Sequence, residues 1–249
     1  MIELPTQKTT PTNFNAQFMI LYGKQKAGKS TLMAALDNNL IIDLEDGYRA
    51  LSALVVQART PNDLAEIANT IKSKIYKDES GKIHYPYKYI TIDNASRLED
   101  MSLPVALSLY KNTPMGKNFT GSDVRTLPQG AGWLYQRTAF RKLVDMFKGL
   151  SETLILITHV RDKQIRKDGE EMYEMSPELS GKLSDILSGE ADAIGYVYRK
   201  ENKTIVSFES GDDIMRGARP EHLRNKKIVV AESDDKGTVH VDLSKIFIS

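Results

Sequence analysis

Residues 23–30 read GKQKAGKS, set between the apolar run FMILY and the amphipathic pattern STLMAAL. No other stretch restricts the fold so tightly. The spacing G-x-x-x-x-G-K-[ST] works where a buried strand turns sharply into a helix, so that backbone N–H groups curl around a phosphate and the helix start adds its partial positive charge. Contacts to a polyphosphate are expected from Gly23, Lys24, Gln25, Lys26, Ala27, Gly28, Lys29, Ser30 and Thr31. Within that set, Lys29 is read as bridging the β- and γ-phosphates and the Ser30 hydroxyl as a ligand of Mg²⁺. Lys24 and Lys26 are placed on the solvent side of the loop.

A strand feeding such a loop implies a particular sheet. The runs 17–23, 39–45, 87–93, 153–159 and 191–199 are apolar nearly throughout, and amphipathic stretches separate them. One of these, 61–77, opens with Thr60 as a cap and Pro61 at the first helical position. Such strands, buried on both faces, predict an α/β fold with a mainly parallel sheet flanked by helices. Three later segments depart from the alternation. Residues 111–131 read as a long Gly/Pro/polar loop, 161–175 as a hairpin around Asp168-Gly169, and 225–248 as terminal antiparallel strands about the turn 235–237. Residues 1–16 read as an extended N-terminal arm and 17–249 as a single domain.

Composition excludes several classes. With 249 residues and no cysteine, the chain has neither a disulfide framework nor a thiolate metal site. His84, His159, His222 and His240 are too scattered for a zinc motif. No apolar run approaches the roughly 20 residues that span a bilayer, and the N-terminus lacks a signal-peptide layout, so no membrane association and a cytoplasmic location are expected. A net charge of +1 leaves any nucleic-acid binding to local patches.

A magnesium site also needs a carboxylate on a strand beside the loop, and YKYITIDN offers Asp93 at the end of an apolar run. Many nucleotide hydrolases carry Glu directly after that Asp. Here the next residue is Asn94, so a general base has to come from elsewhere. NLIIDLEDG, 39–47, supplies Asp43, Glu45 and Asp46 at a strand tip. If that strand neighbours the Asp93 strand, Glu45 projects from the same carboxyl edge and is the candidate base. Asp43 and Asp46 are read as a strand-end residue and a turn or cap residue.

Taken in order, these segments resemble the RecA-like recombinase core. IDLEDGYRAL carries an acidic residue after the loop helix, ITIDNAS is a Walker B strand without an adjacent Glu, and LILITHVRDK ends a strand in a polar sensor. More narrowly, TLILITHVRD followed by SPELSGKLSDILSGEADAIGYVYR is similar to the bacteriophage RecA-like ATPases associated with single-strand annealing and recombination. The resemblance implies strand order 5-1-4-3-2, ATP with Mg²⁺, His159 as γ-phosphate sensor, and a ring or filament of identical subunits. It also implies Arg216 and Arg219, in DDIMRGARPEHL, as fingers acting in trans. Single-stranded DNA would be the partner, with a single-strand DNA-binding protein as a further one and the host cytoplasm as location if phage-encoded. Two segments occupy the places of the family's DNA loops. The first carries Lys111, Lys117, Arg125 and Arg137 with Phe119, Trp133 and Tyr135, the last two also readable as core residues of the next helix. The second, 161–182, begins with Arg161, Lys163, Arg166 and Lys167 and turns acidic through Glu170, Glu171 and Glu174.

The leading expectation is therefore a Mg²⁺-dependent ATP hydrolase coupled to single-stranded DNA. A nucleotide kinase is the alternative, though Glu45 and Asn94 favour water as acceptor. A nucleotide-gated ring or motor subunit is a third reading; the lack of a separate helical lid argues against a standard AAA+ member, not against a RecA-like motor.

Overall fold

The computed structural model describes Thr6 and residues 14–167, 170–211 and 213–248, without the side chains of 163–173. The chain begins β1 (Phe18–Gly23), α1 (Lys29–Ala34), β2 (Asn39–Asp43), β3 (Leu54–Gln57), α2 (Pro61–Lys72), β4 (Tyr76–Lys77) and β5 (Ile83–His84). It continues β6 (Tyr89–Asp93), α3 (Ala95–Lys111), α4 (Gly132–Asp145), β7 (Thr153–Lys167), β8 (Glu170–Pro177) and α5 (Leu183–Glu190). It ends β9 (Ala193–Lys200), β10 (Lys203–Ser207), β11 (Gly217–Ala218), β12 (Lys227–Ser233) and β13 (Val239–Val241).

The main sheet runs β13-β12-β10-β9-β1-β7-β6-β2-β3, with β8 added to β7 and β11 to β9. From β9 to β3 every neighbour is parallel, and beyond β9 the pairing is antiparallel. The five strands foreseen from sequence thus take the order β9-β1-β7-β6-β2, the 5-1-4-3-2 arrangement, with antiparallel strands following. Their side chains alternate between two cores. Ile20, Ile42, Ile92 and Leu156 face α2, α3, α4 and α5 through Leu64, Leu98, Phe140 and Leu187. Met19, Leu21, Ile41 and Ile155 face α1 through Leu32 and Met33, and the C-terminal segment through Phe247. Burial on both faces is why these strands read as continuous apolar runs.

Local signals behave as their chemistry requires. At the start of α2, Thr60 Oγ1 accepts from Asp63 N at 3.2 Å and Asp63 Oδ2 accepts from Thr60 N at 2.9 Å, a capping box. The hairpin foreseen at 161–175 is the outer half of β7 paired with β8, while its turn, Asp168-Gly169, lies outside the described residues. So does most of the 1–16 arm. Asn15 at its end holds Ile248 by two hydrogen bonds of 2.6 and 2.9 Å.

Three features depart from expectation. β3 and the small β4–β5 ladder were not read as strands: β3 is four residues at the sheet edge and largely exposed, so no burial pattern marks it. The 111–131 segment contains two short 3₁₀ turns, Val124–Thr126 and Pro128–Gly130, of which Val124 is buried. The core reading of Trp133 fails: it is 36% exposed, and the buried residues of α4 are Gly132, Gln136, Ala139, Phe140, Leu143 and Val144. Tyr135, by contrast, packs edge-on against Tyr110 at 5.1 Å.

Candidate active site

β1 must end in glycine. A Cβ at Gly23 would lie 2.1 Å from the Val197 carbonyl oxygen of β9, which leaves room for no side chain. The loop then passes through Gly28 at φ 99, a left-handed conformation that only glycine enters at little cost, and α1 begins. Lys24, Gln25 and Lys26 are exposed, Ala27 is buried, and Gly28, Ser30 and Thr31 are half-buried.

Lys29 is buried, 6% exposed, and its Nζ donates to the carbonyls of Gly23 at 2.8 Å and Lys24 at 2.9 Å. Burial pulls its pKa below the usual lysine value, while the carboxylates of Asp93 and Glu45 work against that shift. An ammonium folded back on two neutral carbonyls is poised to exchange them for phosphate oxygens, which carry full charge.

Ser30 Oγ donates to Asp93 Oδ2 at 3.1 Å. The same oxygen accepts the Tyr48 hydroxyl at 2.6 Å. Burial raises the Asp93 pKa, opposed by the hydrogen bonds from Tyr48 and Ser30 and the charge of Lys29; burial also holds the Tyr48 hydroxyl protonated well beyond its ordinary range. Among the described residues no three His, Asp or Glu side chains converge as a metal cage. A hydroxyl paired with one carboxylate suits Mg²⁺, which keeps waters and takes phosphate oxygens in preference to an all-protein shell.

β2 lies beside β6 in parallel register, Asp43 opposite Asp93, and Leu44 N donates to Asp93 O at 2.8 Å. The tip of β2 is therefore fixed relative to Asp93. The three carboxylates there have separate roles. Asp43 is 2% exposed, and its Oδ1 accepts from Glu45 N at 2.9 Å and Gly47 N at 3.3 Å, shaping the turn. Asp46 turns outward to Arg49 at 3.2 Å and to Arg59. Glu45 faces a cleft of about 360 Å³ whose lining also includes Lys29, Ser30, Asp93, His159 and Arg199.

His159 closes the β7 side. Its Nε2 lies 3.4 Å from Asn94 Nδ2, and its Nδ1 is buried with no hydrogen-bond partner. Asn94 meanwhile caps α3 by accepting Arg97 N at 3.0 Å. Arg216 and Arg219 do not line this cleft. Arg216 is held by Glu209, and Arg219 bonds Asp192 at 3.0 Å and the Gly189 carbonyl at 2.7 Å. Arg219 N also bonds Asp192 O, just before the start of β9 and thus at the amino edge of the sheet, opposite the loop.

The DNA-loop residues differ in exposure and in their partners. Lys111, Lys117 and Arg125 are exposed and Arg137 is half-buried, with Arg125 paired to Asp123 at 2.7 Å. Phe119 packs edge-on against Tyr110 at 5.3 Å. Arg161 is half-buried, and the side chains of Lys163, Arg166, Lys167, Glu170 and Glu171 lie outside the described residues. Two site residues escaped the sequence reading, Tyr48 and Arg199. Tyr48 stands in the same DLEDGY stretch as Glu45, but its role depends on a partner 45 positions away.

The family described as "AAA domain" matches residues 15–225. No curated protein matches the chain. Among solved structures, the RadB recombinase is similar with TM-score 0.47 and 10% identity, over 92% of this chain and 92% of that one. A KaiC-like protein from the hyperthermophilic archaeon Pyrococcus horikoshii OT3 gives TM-score 0.45 and 13% identity, over 91% and 89%. With a phosphate-type loop whose lysine is buried, a serine paired to a strand-end aspartate, and a family match across most of its length, the chain belongs to the AAA domain family of P-loop proteins.

Proposed function

We propose that this chain is a Mg²⁺-dependent ATP hydrolase of RecA-like type that couples ATP turnover to single-stranded DNA, in recombination or annealing of the bacteriophage kind. The observation that carries the reading is the convergence of Lys29, the Ser30–Asp93 pair and Glu45 on one cleft. Ser30 and, through water, Asp93 would hold Mg²⁺, which when bound neutralises charge on the phosphates. Lys29 trades its two loop carbonyls for β- and γ-phosphate oxygens. Glu45 takes the proton of the attacking water, the task that Asn94 is unfit for as a neutral amide already committed to capping α3. His159 reads the terminal phosphate and, through Asn94, reports to α3.

The DNA part rests on exposed Lys111 and Lys117 together with exposed Trp133, a combination suited to phosphates and unpaired bases. The trans-finger part draws its support from Arg219 lying on the edge of the sheet away from its own cleft, which leaves a neighbour's site in a ring or filament as the one it could reach on releasing Asp192 and the Gly189 carbonyl. ATP turnover measured with and without single-stranded DNA across a salt series tests the whole. The wild type is expected to be stimulated, less so as salt rises. Glu45→Gln is expected to bind ATP normally and lose about 10²- to 10⁴-fold in turnover. Full turnover by that variant removes Glu45 as base; indifference to DNA removes the coupling.

A further inference from the structure

We propose that Arg199, near the end of β9, binds the α- and β-phosphates of the nucleotide held by its own chain; the inference rests on the nucleotide reading of the cleft. The strand pattern decides which way this side chain projects. Ala193 and Val197 belong to the core that Ala27, Leu32 and Met33 share, on the face of the sheet covered by the 23–30 loop and α1. Side chains two residues apart on a strand share a face, so Arg199 stands on the loop's side, one step beyond Val197. β1 stops at Gly23, packed against the Val197 carbonyl, whereas β9 runs on to Lys200. Arg199 therefore lies past the end of the strand that feeds the loop.

The hairpin that carries it touches the loop. Thr204 is the partner of Arg199 across β9 and β10, and a Cβ on Gly28 would sit 3.5 Å from Thr204 Oγ1. Arg199 accordingly lines the same cleft as Lys29, Ser30, Glu45 and Asp93. It also lines a neighbouring cleft of about 360 Å³ along the outer side of the loop, where the charged side chains are Lys24, Lys26 and Arg199 and there is no carboxylate. That balance favours an anion.

Arg199 is also free to serve. Its guanidinium donates to Ser233 Oγ at 3.3 Å, and among the described residues it has no carboxylate partner. Arg216 and Arg219, by contrast, are each paired with an acid, Glu209 and Asp192. Exchanging one long contact to a neutral hydroxyl for phosphate oxygens, which match the guanidinium fork and carry charge, favours the bound state. Position along the cleft then selects the phosphate. Asp93 on β6, Glu45 beyond β2 and His159 on β7, the groups suited to the terminal phosphate, all lie on one side of β1, and β9 is the neighbour on the other. A phosphate chain that ends among Asp93, Glu45 and His159 presents its α- and β-phosphates to Arg199.

Titration calorimetry with ATP, ADP and inorganic tripolyphosphate tests the assignment. Arg199→Ala is expected to weaken all three by a similar factor, about tenfold, and Arg199→Gln, which keeps most of the stem, to do the same. Arg199→Lys should fall between these and wild type, since it keeps the charge without the fork. Loss for ATP and tripolyphosphate with ADP spared would put Arg199 on the terminal phosphate, and loss for ATP and ADP with tripolyphosphate spared would put it on the nucleoside; either overturns the assignment, as does no loss at all. Ser233→Ala removes the present contact of Arg199 and is expected to bind all three ligands as wild type; a loss matching that of Arg199→Ala would trace the effect to the hairpin and overturn it too. Lys29→Ala checks the underlying reading separately, because it is expected to weaken every ligand; if it weakens none, the phosphate site itself is wrong.

Discussion

Tyr48→Phe removes one hydroxyl and nothing else, from a residue 4% exposed whose donor sits 2.6 Å from the Oδ2 of an aspartate 9% exposed. A hydrogen bond to a buried carboxylate is worth about 1.5–3 kcal/mol, and the oxygen keeps only the longer Ser30 donor at 3.1 Å. For a chain of this size that loss lowers the melting temperature by roughly 3–12 °C. Its pH dependence has a definite sign. Burial already raises Asp93 above its ordinary value of 3.8, so the stability that its proton supplies is complete below that value and is lost as pH rises through the raised one. Without the Tyr48 donor the carboxylate is harder to ionise and its pKa climbs further. The gap between wild type and variant should therefore widen from acid toward neutral pH. Thermal melts in metal-free, nucleotide-free buffer over a pH series measure it. A variant that melts with the wild type at neutral pH, or a gap that narrows as pH rises, refutes the Tyr48–Asp93 pairing.

Gly23→Ala should fail to accumulate as folded protein or should melt far below wild type, because its Cβ would meet backbone rather than a yielding side chain; near-native stability would show that β1 and β9 are further apart at this point. Arg219→Ala should lose about 1 kcal/mol, since its contacts to Asp192 and to the carbonyls that end α5 are partly exposed, and urea titration reads the change. Mixed with Lys29→Ala protein, the same variant should regain ATP turnover if it acts on a neighbour's site; a mixture no more active than its parts ends the finger assignment.

Much of this architecture was legible because burial writes itself into composition. Strands covered on both faces had to be apolar throughout, and the loop spacing located β1 and α1 to within a residue or two. What escaped was of a different kind. β3 is an exposed edge with no pattern to declare it, and β7 reads as ending at His159 because its outer half leaves the sheet, pairs with β8 alone and becomes charged. Tyr48 and Arg199 carry no local signal, since a tyrosine after Asp-Gly and an arginine at a strand end suit many surroundings. Only the adjacency of β2 to β6, and of β9 to β1, brings them to the site.

On the proposed reading of Glu45 as base, that adjacency also explains why the glutamate sits where it does. The position after Asp93 is occupied by a residue with two other tasks, capping α3 through Arg97 N and meeting the His159 ring, and a glutamate there would lose at least the amide donor that faces His159. A base is then best placed on the neighbouring strand, provided that strand cannot slide. Two constraints hold it: the Leu44 N to Asp93 O bond locks β2 against β6, and the Asp43 carboxylate, bound to Glu45 N and Gly47 N, fixes the turn that aims Glu45. Asp43→Asn keeps size but weakens those charge-assisted bonds, and Asp43→Ala removes both. If the turn positions Glu45, turnover should fall in that order with little change in ATP affinity, whereas a loss of affinity matching the loss of turnover would place Asp43 on the nucleotide itself.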